Sequence, residues 1–112
     1  MKVKERIIGD VAVLELSGKL LGGPPDSQDF KNKIYELIDR KITKVVVDLA
    51  EVKRMNSSGL GILISALTSL KNHNGNMKLA AIDETMQGIL IMTKLDTIFE
   101  SFKTAEGAAQ SF

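Results

Sequence analysis

Three small polar residues, Asn56, Ser57 and Ser58, directly precede a run of apolar residues that has helical spacing. Asn and Ser are favoured helix N-caps, because their side chains accept hydrogen bonds from the free N–H groups of the first turn. Capping alone would explain these residues. If Asn56 is the cap, however, the hydroxyls of Ser57 and Ser58 are spare, and the helix dipole favours an anion beside them. A phosphate on Ser57 would add about −1.5 to −2 charges and exclude a partner that fits a neutral hydroxyl.

Other kinds of chemistry lack the residues that they need. The single histidine, His73, lies about 16 residues after Ser57 on the same predicted helix, or roughly 24 Å away, which excludes a catalytic triad within the chain. Gly59 and Gly61 lack the third glycine of a dinucleotide fingerprint. There is no cysteine for a disulfide or a Cys-based metal site. We therefore predict no catalytic residue, no metal and no cofactor, and we do not expect an enzyme.

Length and charge further narrow the class of protein to which the chain can belong. The chain has 112 residues, of which 44% are hydrophobic and 26% charged, which predicts one soluble domain over 1–112. The net charge of +1 argues against direct nucleic-acid binding, which usually needs a basic excess. The N-terminus does not resemble a secretory signal, and no apolar run is long enough for a membrane span. We expect a cytoplasmic protein.

The predicted elements alternate between strands and helices, which is typical of an α/β fold with right-handed crossovers and a mixed sheet. An N-terminal hairpin is indicated by two short apolar runs around a glycine turn. Buried strands and amphipathic helices follow, with Asp26 and Asp83 as expected N-caps. The predicted strands are Val3–Ile8, Val11–Ser17, Lys44–Leu49, Met77–Ala81 and Ile98–Lys103, and the predicted helices are Ser27–Arg40, Ser57 to about Asn72, Asp83 to about Thr93, and Glu106–Phe112.

Loops at the carboxyl ends of parallel strands gather at one edge of the sheet, where ligands and partners tend to bind. Three loops should meet there: 20–25, 54–59 and 82–84. The middle loop carries Asn56, Ser57 and Ser58. Lys53, just before this loop, and Arg54, its first residue, belong to a mixed-charge stretch that we interpret as a solvated face.

Two segments of this region carry a family resemblance. Val45-Val46-Val47-Asp48-Leu49, followed after five intervening residues by Met55-Asn56-Ser57-Ser58-Gly59-Leu60-Gly61, resembles the signature of bacterial anti-sigma factor antagonists, which belong to the STAS domain family. Leu16-Ser17-Gly18-Lys19-Leu20 and Leu95-Asp96-Thr97-Ile98-Phe99 extend the resemblance to nearly the whole chain. It implies a STAS-like mixed β-sheet with an N-terminal hairpin, parallel βαβ crossovers and three to four helices.

The resemblance also implies a function by partner switching. The unphosphorylated antagonist binds a serine kinase that is also an anti-sigma factor, and so frees a sigma factor. The kinase phosphorylates a serine, here Ser57 or, as an alternative, Ser58, and a serine phosphatase reverses this. Gly59 and Gly61 would let the kinase approach the helix closely. A weak homodimer is left open.

Two positions depart from the family pattern. Asn56 stands where the motif usually has Asp, and Leu21 stands where the loop after Gly18-Lys19-Leu20 usually continues with Asp. Leu20 and Leu21 would offer an apolar patch to a different partner, unless Leu21 packs under its own loop. These departures keep two other functions open: a non-phosphorylated accessory subunit of a lipid-transport or signalling assembly, and a module that senses a small ligand or nucleotide.

Overall fold

The structure is a computed structural model that describes residues 1–112. Five strands form one sheet in the order β1-β2-β3-β4-β5, and four helices pack on its two faces. The strands are β1 Lys2–Ile8, β2 Val11–Leu20, β3 Lys44–Met55, β4 Asn76–Ala80 and β5 Ser101–Phe102; the helices are α1 Asp26–Asp39, α2 Ser57–Lys71, α3 Glu84–Met92 and α4 Ala105–Gln110, with a 3₁₀ turn at Leu95–Thr97. No helix combines the length and apolar character needed to cross a membrane.

The strand pairing confirms the predicted mixed sheet. β1 runs antiparallel to β2 through a turn at Gly9, whose φ of 62° suits glycine. β2, β3, β4 and β5 then pair in parallel. The carboxyl ends of β2, β3 and β4 therefore lie at one edge of the sheet, where the three predicted loops leave it.

The two faces of the sheet have separate cores. Val45 and Val47 point into a cluster of 22 buried residues shared with α1, α2 and α3. Val46, between them, points into a cluster of 7 residues on the other face, which α4 covers with small alanine side chains. Alternate residues of a strand point to opposite faces, so this explains why the valine run is apolar throughout.

The predicted bounds of five elements were wrong. β2 continues through Leu20 and β3 through Met55, because these ends pair with each other instead of forming loops. Asp26 is the first residue of α1 and not its N-cap; Pro25 holds the cap position without a side-chain hydrogen bond. β5 is only two residues long, because the chain before it is bent by the 3₁₀ turn, where Phe99 N–H donates to the Leu95 carbonyl. The last helix starts at Ala105, where Thr104 caps it, and ends at Gln110.

Candidate functional site

The start of α2 is built by Asn56, as its sequence predicts. Asn56 has extended backbone angles (φ −121°, ψ −176°), and its side-chain oxygen accepts a hydrogen bond from the Gly59 N–H at 2.8 Å. Its backbone carbonyl accepts from the Leu60 N–H at 2.9 Å. Asn56 is therefore the N-cap, and its oxygen is occupied by that role.

Ser57 and Ser58 follow the cap as the first two residues of α2, and both are exposed. Because Asn56 supplies the cap, neither hydroxyl is needed to satisfy the first turn. That turn also contains no acidic residue, whereas the first turns of α1, α3 and α4 each contain one or more. The positive end of the α2 dipole is thus not neutralised by its own side chains.

A close backbone contact fixes the position of this helix start. The Asn56 N–H donates to the Leu20 carbonyl at 3.4 Å. A Cβ atom added to Gly59 would lie 1.9 Å from the same carbonyl oxygen, so only glycine fits there. Gly61 is the opposite case: no heavy atom lies within 4 Å of an added Cβ, and the residue is exposed. The end of β2 and the start of α2 are therefore locked together, with open space two residues further on, at Gly61.

The loop after β2 packs against Ser58. Gly22 has a φ of 79°, and a Cβ on it would lie 2.6 Å from the Ser58 Cβ. Ser58 also lines a cavity of about 370 Å³ between α1 and α2, together with Ser65 and Tyr35. Ser57 does not line this cavity. Both serines are exposed, and Ser58 is the one that the loop packs against.

Leu20 does not form part of an apolar surface patch, contrary to expectation. Its side chain is 0% exposed and lies in the larger core, because the extension of β2 directs it inward. Leu21 is half-buried. A partner at this edge would therefore reach Leu21 but not the side chain of Leu20.

The third loop also meets the second. Lys53, Arg54 and Met55 at the end of β3 line a cleft of about 180 Å³ whose other side is Asp83 and Thr85, at the start of α3. The Asp83 side chain caps α3 by accepting from the Met86 N–H at 2.8 Å. The three loops therefore gather at one edge of the sheet, as predicted.

Sequence reasoning placed Arg54 in a loop at this edge but missed that it has no carboxylate partner. Its guanidinium is exposed and makes no ion pair, although Arg6 pairs with Glu15 and Glu106, and Arg40 pairs with Glu5 and Glu36. The available signal was its place three residues before Ser57, in a loop expected at this edge.

His73 lies beyond the far end of α2 from Ser57, where its Nδ1 atom lies 2.8 Å from the Ser69 carbonyl oxygen. No group of three or more His, Cys, Asp or Glu side chains has the arrangement of a metal site. The polar groups that gather near Ser57 can bind the surface of a partner or repel it, depending on the charge that the surface carries.

Residues 2–108 match the family model of the STAS domain. The chain belongs to the STAS domain family. The match covers the sheet, α1, α2, α3 and most of α4. It includes the capped start of α2 and the loops beside it.

Relatives of this STAS domain include proteins named as anti-sigma factor antagonists. One, from Thermotoga maritima and provisionally assigned, is 24% identical over 106 residues, which are 94% of this chain and 92% of the relative. A crystal structure from the same organism, with the same provisional assignment, has a TM-score of 0.86 at 23% identity and covers 97% of this chain and 92% of that one.

Two other solved structures show how widely this fold is used. The phosphorylated form of the Bacillus cell fate determinant SpoIIAA has a TM-score of 0.75 at 20% identity, with 98% of each chain covered. A sulfate transporter family protein from Wolinella succinogenes has a TM-score of 0.79 at 13% identity, covering 95% of this chain and 87% of that one. The fold is therefore shared by antagonists and by a transporter-family protein.

Proposed function

We propose that this STAS domain is an anti-sigma factor antagonist that works by partner switching. In its unphosphorylated form it binds a serine kinase that is also an anti-sigma factor. Phosphorylation of Ser57 by that kinase releases it, and a serine phosphatase restores binding. The chain itself catalyses nothing in this scheme.

The observation that carries this proposal is the free, exposed hydroxyl of Ser57 at the capped start of α2. A kinase needs a hydroxyl that it can reach, and this one is neither needed for the cap nor packed against a loop. Ser58 is the weaker candidate, because Gly22 packs against its Cβ atom. The open space beside Gly61 gives a kinase room to approach the first two turns.

The effect of the phosphate follows from its charge and size. It would carry about −1.5 to −2 charges, and the N–H groups and dipole of α2 would tolerate it within this chain. A partner surface fitted to a neutral hydroxyl would meet a bulky dianion. A penalty of roughly 3–4 kcal/mol would weaken binding by a few hundredfold.

The comparisons support this proposal at the level of the family. The curated relatives are named as anti-sigma factor antagonists, and SpoIIAA structures represent both an unphosphorylated and a phosphorylated form. At least one neighbour with this fold therefore exists in both an unphosphorylated and a phosphorylated form.

Site mapping by mass spectrometry tests the modification directly. The chain would be used to capture its kinase from a lysate of the source organism, and the identified kinase would be purified and incubated with the chain and ATP. We expect one added phosphate on Ser57, which is lost in Ser57→Ala and retained in Ser58→Ala. Phosphate on Ser58 alone would transfer the role to that residue.

Binding measurements test the switch. Ser57→Ala should bind the kinase as tightly as the unmodified chain, and the Ser57-phosphorylated chain should bind at least about 100-fold more weakly. Equal affinity of the two forms would refute partner switching. A stable complex with no phosphate on either serine would instead favour a non-phosphorylated accessory subunit. The uncharged residues Asn56 and Leu21 are compatible with that role.

A further inference from the structure

Arg54 differs from the other arginines of the chain because it has no carboxylate partner. Arg6 bridges Glu15 and Glu106, and the guanidinium of Arg40 contacts Glu5 and Glu36 at 2.9–3.1 Å. Arg54 lies exposed at the end of β3 with its guanidinium unpaired. A guanidinium presents a rigid fork of donors that fits a carboxylate with two parallel hydrogen bonds. Its fork is thus available to a group from outside the chain.

Two lysines surround Arg54. Lys53 precedes it and lines the same 180 Å³ cleft. Lys19 is its direct register partner on β2, so their Cα atoms are neighbours across two parallel strands, about 5 Å apart. Both lysines are exposed and make no ion pair. We call Lys19, Lys53 and Arg54 the basic patch.

The basic patch lies beside Ser57. Arg54 is three residues before Ser57, which limits the separation of their Cα atoms to roughly 10 Å. Asn56 and Leu21 add no charge between them. Asp83 lines the other side of the cleft and accepts a hydrogen bond from the Met86 N–H, and Glu84 follows it as the first residue of α3. Neither forms an ion pair with the basic patch, so the patch keeps its charge toward solvent.

We propose that Arg54, flanked by Lys53 and Lys19, binds a carboxylate of the protein partner, so that the partner is acidic where it meets the start of α2. The identity of that partner as the switching kinase rests on the proposed function. An acidic protein surface suits the patch better than a nucleic acid does. Three cations on a chain of net charge +1 form no extended basic track, and exposed arginines are frequent anchors of protein interfaces.

This arrangement gives the Ser57 phosphate a second effect. Its charge of about −1.5 to −2 would cancel much of the charge on the basic patch. Arg54 would also be drawn to the phosphate, which competes with the partner's carboxylate for the same donors. Release would therefore come from lost attraction at Arg54 as well as from steric exclusion at Ser57.

An NMR titration with a deca-glutamate peptide tests the patch without the kinase. We expect amide shifts confined to residues 19–22 and 52–58, weaker at roughly 200 mM NaCl than at roughly 50 mM because salt screens exposed charges. The double variant Lys53→Glu/Arg54→Glu should lose them. The matched control Lys2→Glu/Lys4→Glu makes the same charge change at exposed, unpaired lysines on the edge strand β1 and should retain them. Shifts centred on Lys2 and Lys4, or spread over all lysines, would overturn the proposal.

The same pair of double variants separates this proposal from the proposed function. With the identified kinase, Lys53→Glu/Arg54→Glu should bind at least about tenfold more weakly than the control, and Arg54→Lys should recover only part of the loss. Equal binding of both double variants, with Ser57 still phosphorylated, would refute the acidic contact but leave the switch intact. Absence of any phosphorylation would refute the switch, while the peptide titration would still decide the patch. Stronger shifts with a single-stranded oligonucleotide than with the peptide would overturn the choice of partner.

Discussion

At the scale of single residues, two glycines in the first turns of α2 have opposite surroundings. A methyl group on Gly59 would collide with the Leu20 carbonyl oxygen at 1.9 Å, and both partners are backbone, so neither moves easily. A methyl group on Gly61 would meet nothing within 4 Å. The first glycine is therefore required by packing, and the second is required by nothing within the chain.

This contrast predicts opposite effects of the same substitution. Gly59→Ala should lower the free energy of unfolding by about 2–4 kcal/mol, because the end of β2 must separate from α2. Gly61→Ala should raise it by up to about 1 kcal/mol, because alanine is the better helix former. Urea denaturation of both variants measures this. A loss at Gly61 as large as at Gly59 would contradict the packing argument.

Asn56 gives a second prediction at this scale, because substitutions at this position can change the charge at the helix start independently of the capping oxygen. Asn56→Asp keeps an oxygen acceptor for the Gly59 N–H and places a negative charge at the helix start, so stability should stay equal or rise by about 0.3–1 kcal/mol. Binding of deca-glutamate should nevertheless weaken, because the charge lies beside Arg54. Asn56→Ala should lose about 1 kcal/mol of stability. Stronger peptide binding by Asn56→Asp would be incompatible with an acidic partner.

At the scale of elements, sequence patterns predicted the order, the hairpin and the sheet, but not where β2 and β3 end. Gly18 and Lys19 have the composition of a loop, and charged residues after Leu49 hide the continuation of β3. Pairing decides the outcome: Leu20 is held opposite Met55, and its side chain fills the core. The position of Arg54 beside Lys19 depends on this long-range pairing, so local propensity could not predict it.

The ion pairs of Glu5 on β1 with Lys33 and Arg40, within and directly after α1, give a prediction about pH. Hydrogen bonds from Arg40 and Lys33 lower the pKa of Glu5 from 4.5 to about 2. Because the folded-state pKa is the lower one, Glu5 stabilises the fold above pH 4.5 and loses this contribution as the pH falls toward 2. Glu5→Gln should thus cost about 1–2 kcal/mol at pH 7.

The difference in unfolding free energy between the wild type and Glu5→Gln should shrink steadily between pH 4.5 and pH 3. Urea denaturation over this range measures it. Glu51→Gln is the control, because Glu51 is exposed on β3 and makes no ion pair; its difference from the wild type should stay small throughout. If the difference in unfolding free energy between the wild type and Glu5→Gln did not depend on pH, the ion pairs of Glu5 with Lys33 and Arg40 would add nothing to stability.

At the scale of the whole molecule, the sheet separates the proposed switch from a second, smaller core. Lys78 is 5% exposed on the α4 side of β4. Its ammonium group donates to the carbonyl and the hydroxyl of Ser111, at 3.0 and 2.7 Å, and lies 4.6 Å from the ring centre of Phe112. Since α4 has only six residues, too few for a helix to be stable alone, its position depends on this anchor and on its alanines.

Removing the anchor should therefore loosen α4 and leave the start of α2 unchanged. We expect Lys78→Ala to lower the free energy of unfolding by about 2–3 kcal/mol, since it loses two charged hydrogen bonds and its packing on the rings of Phe102 and Phe112. Hydrogen exchange should become faster at residues 105–110. Exchange at Gly59, whose N–H is held by Asn56 on the other face, should change only by the global loss of stability. Lys44→Ala, which breaks an exposed pair with Asp10, should cost at most about 1 kcal/mol. If α2 opened locally in Lys78→Ala, beyond that global loss of stability, the two faces would be coupled through the sheet. Modification of one face would then change the stability of the other.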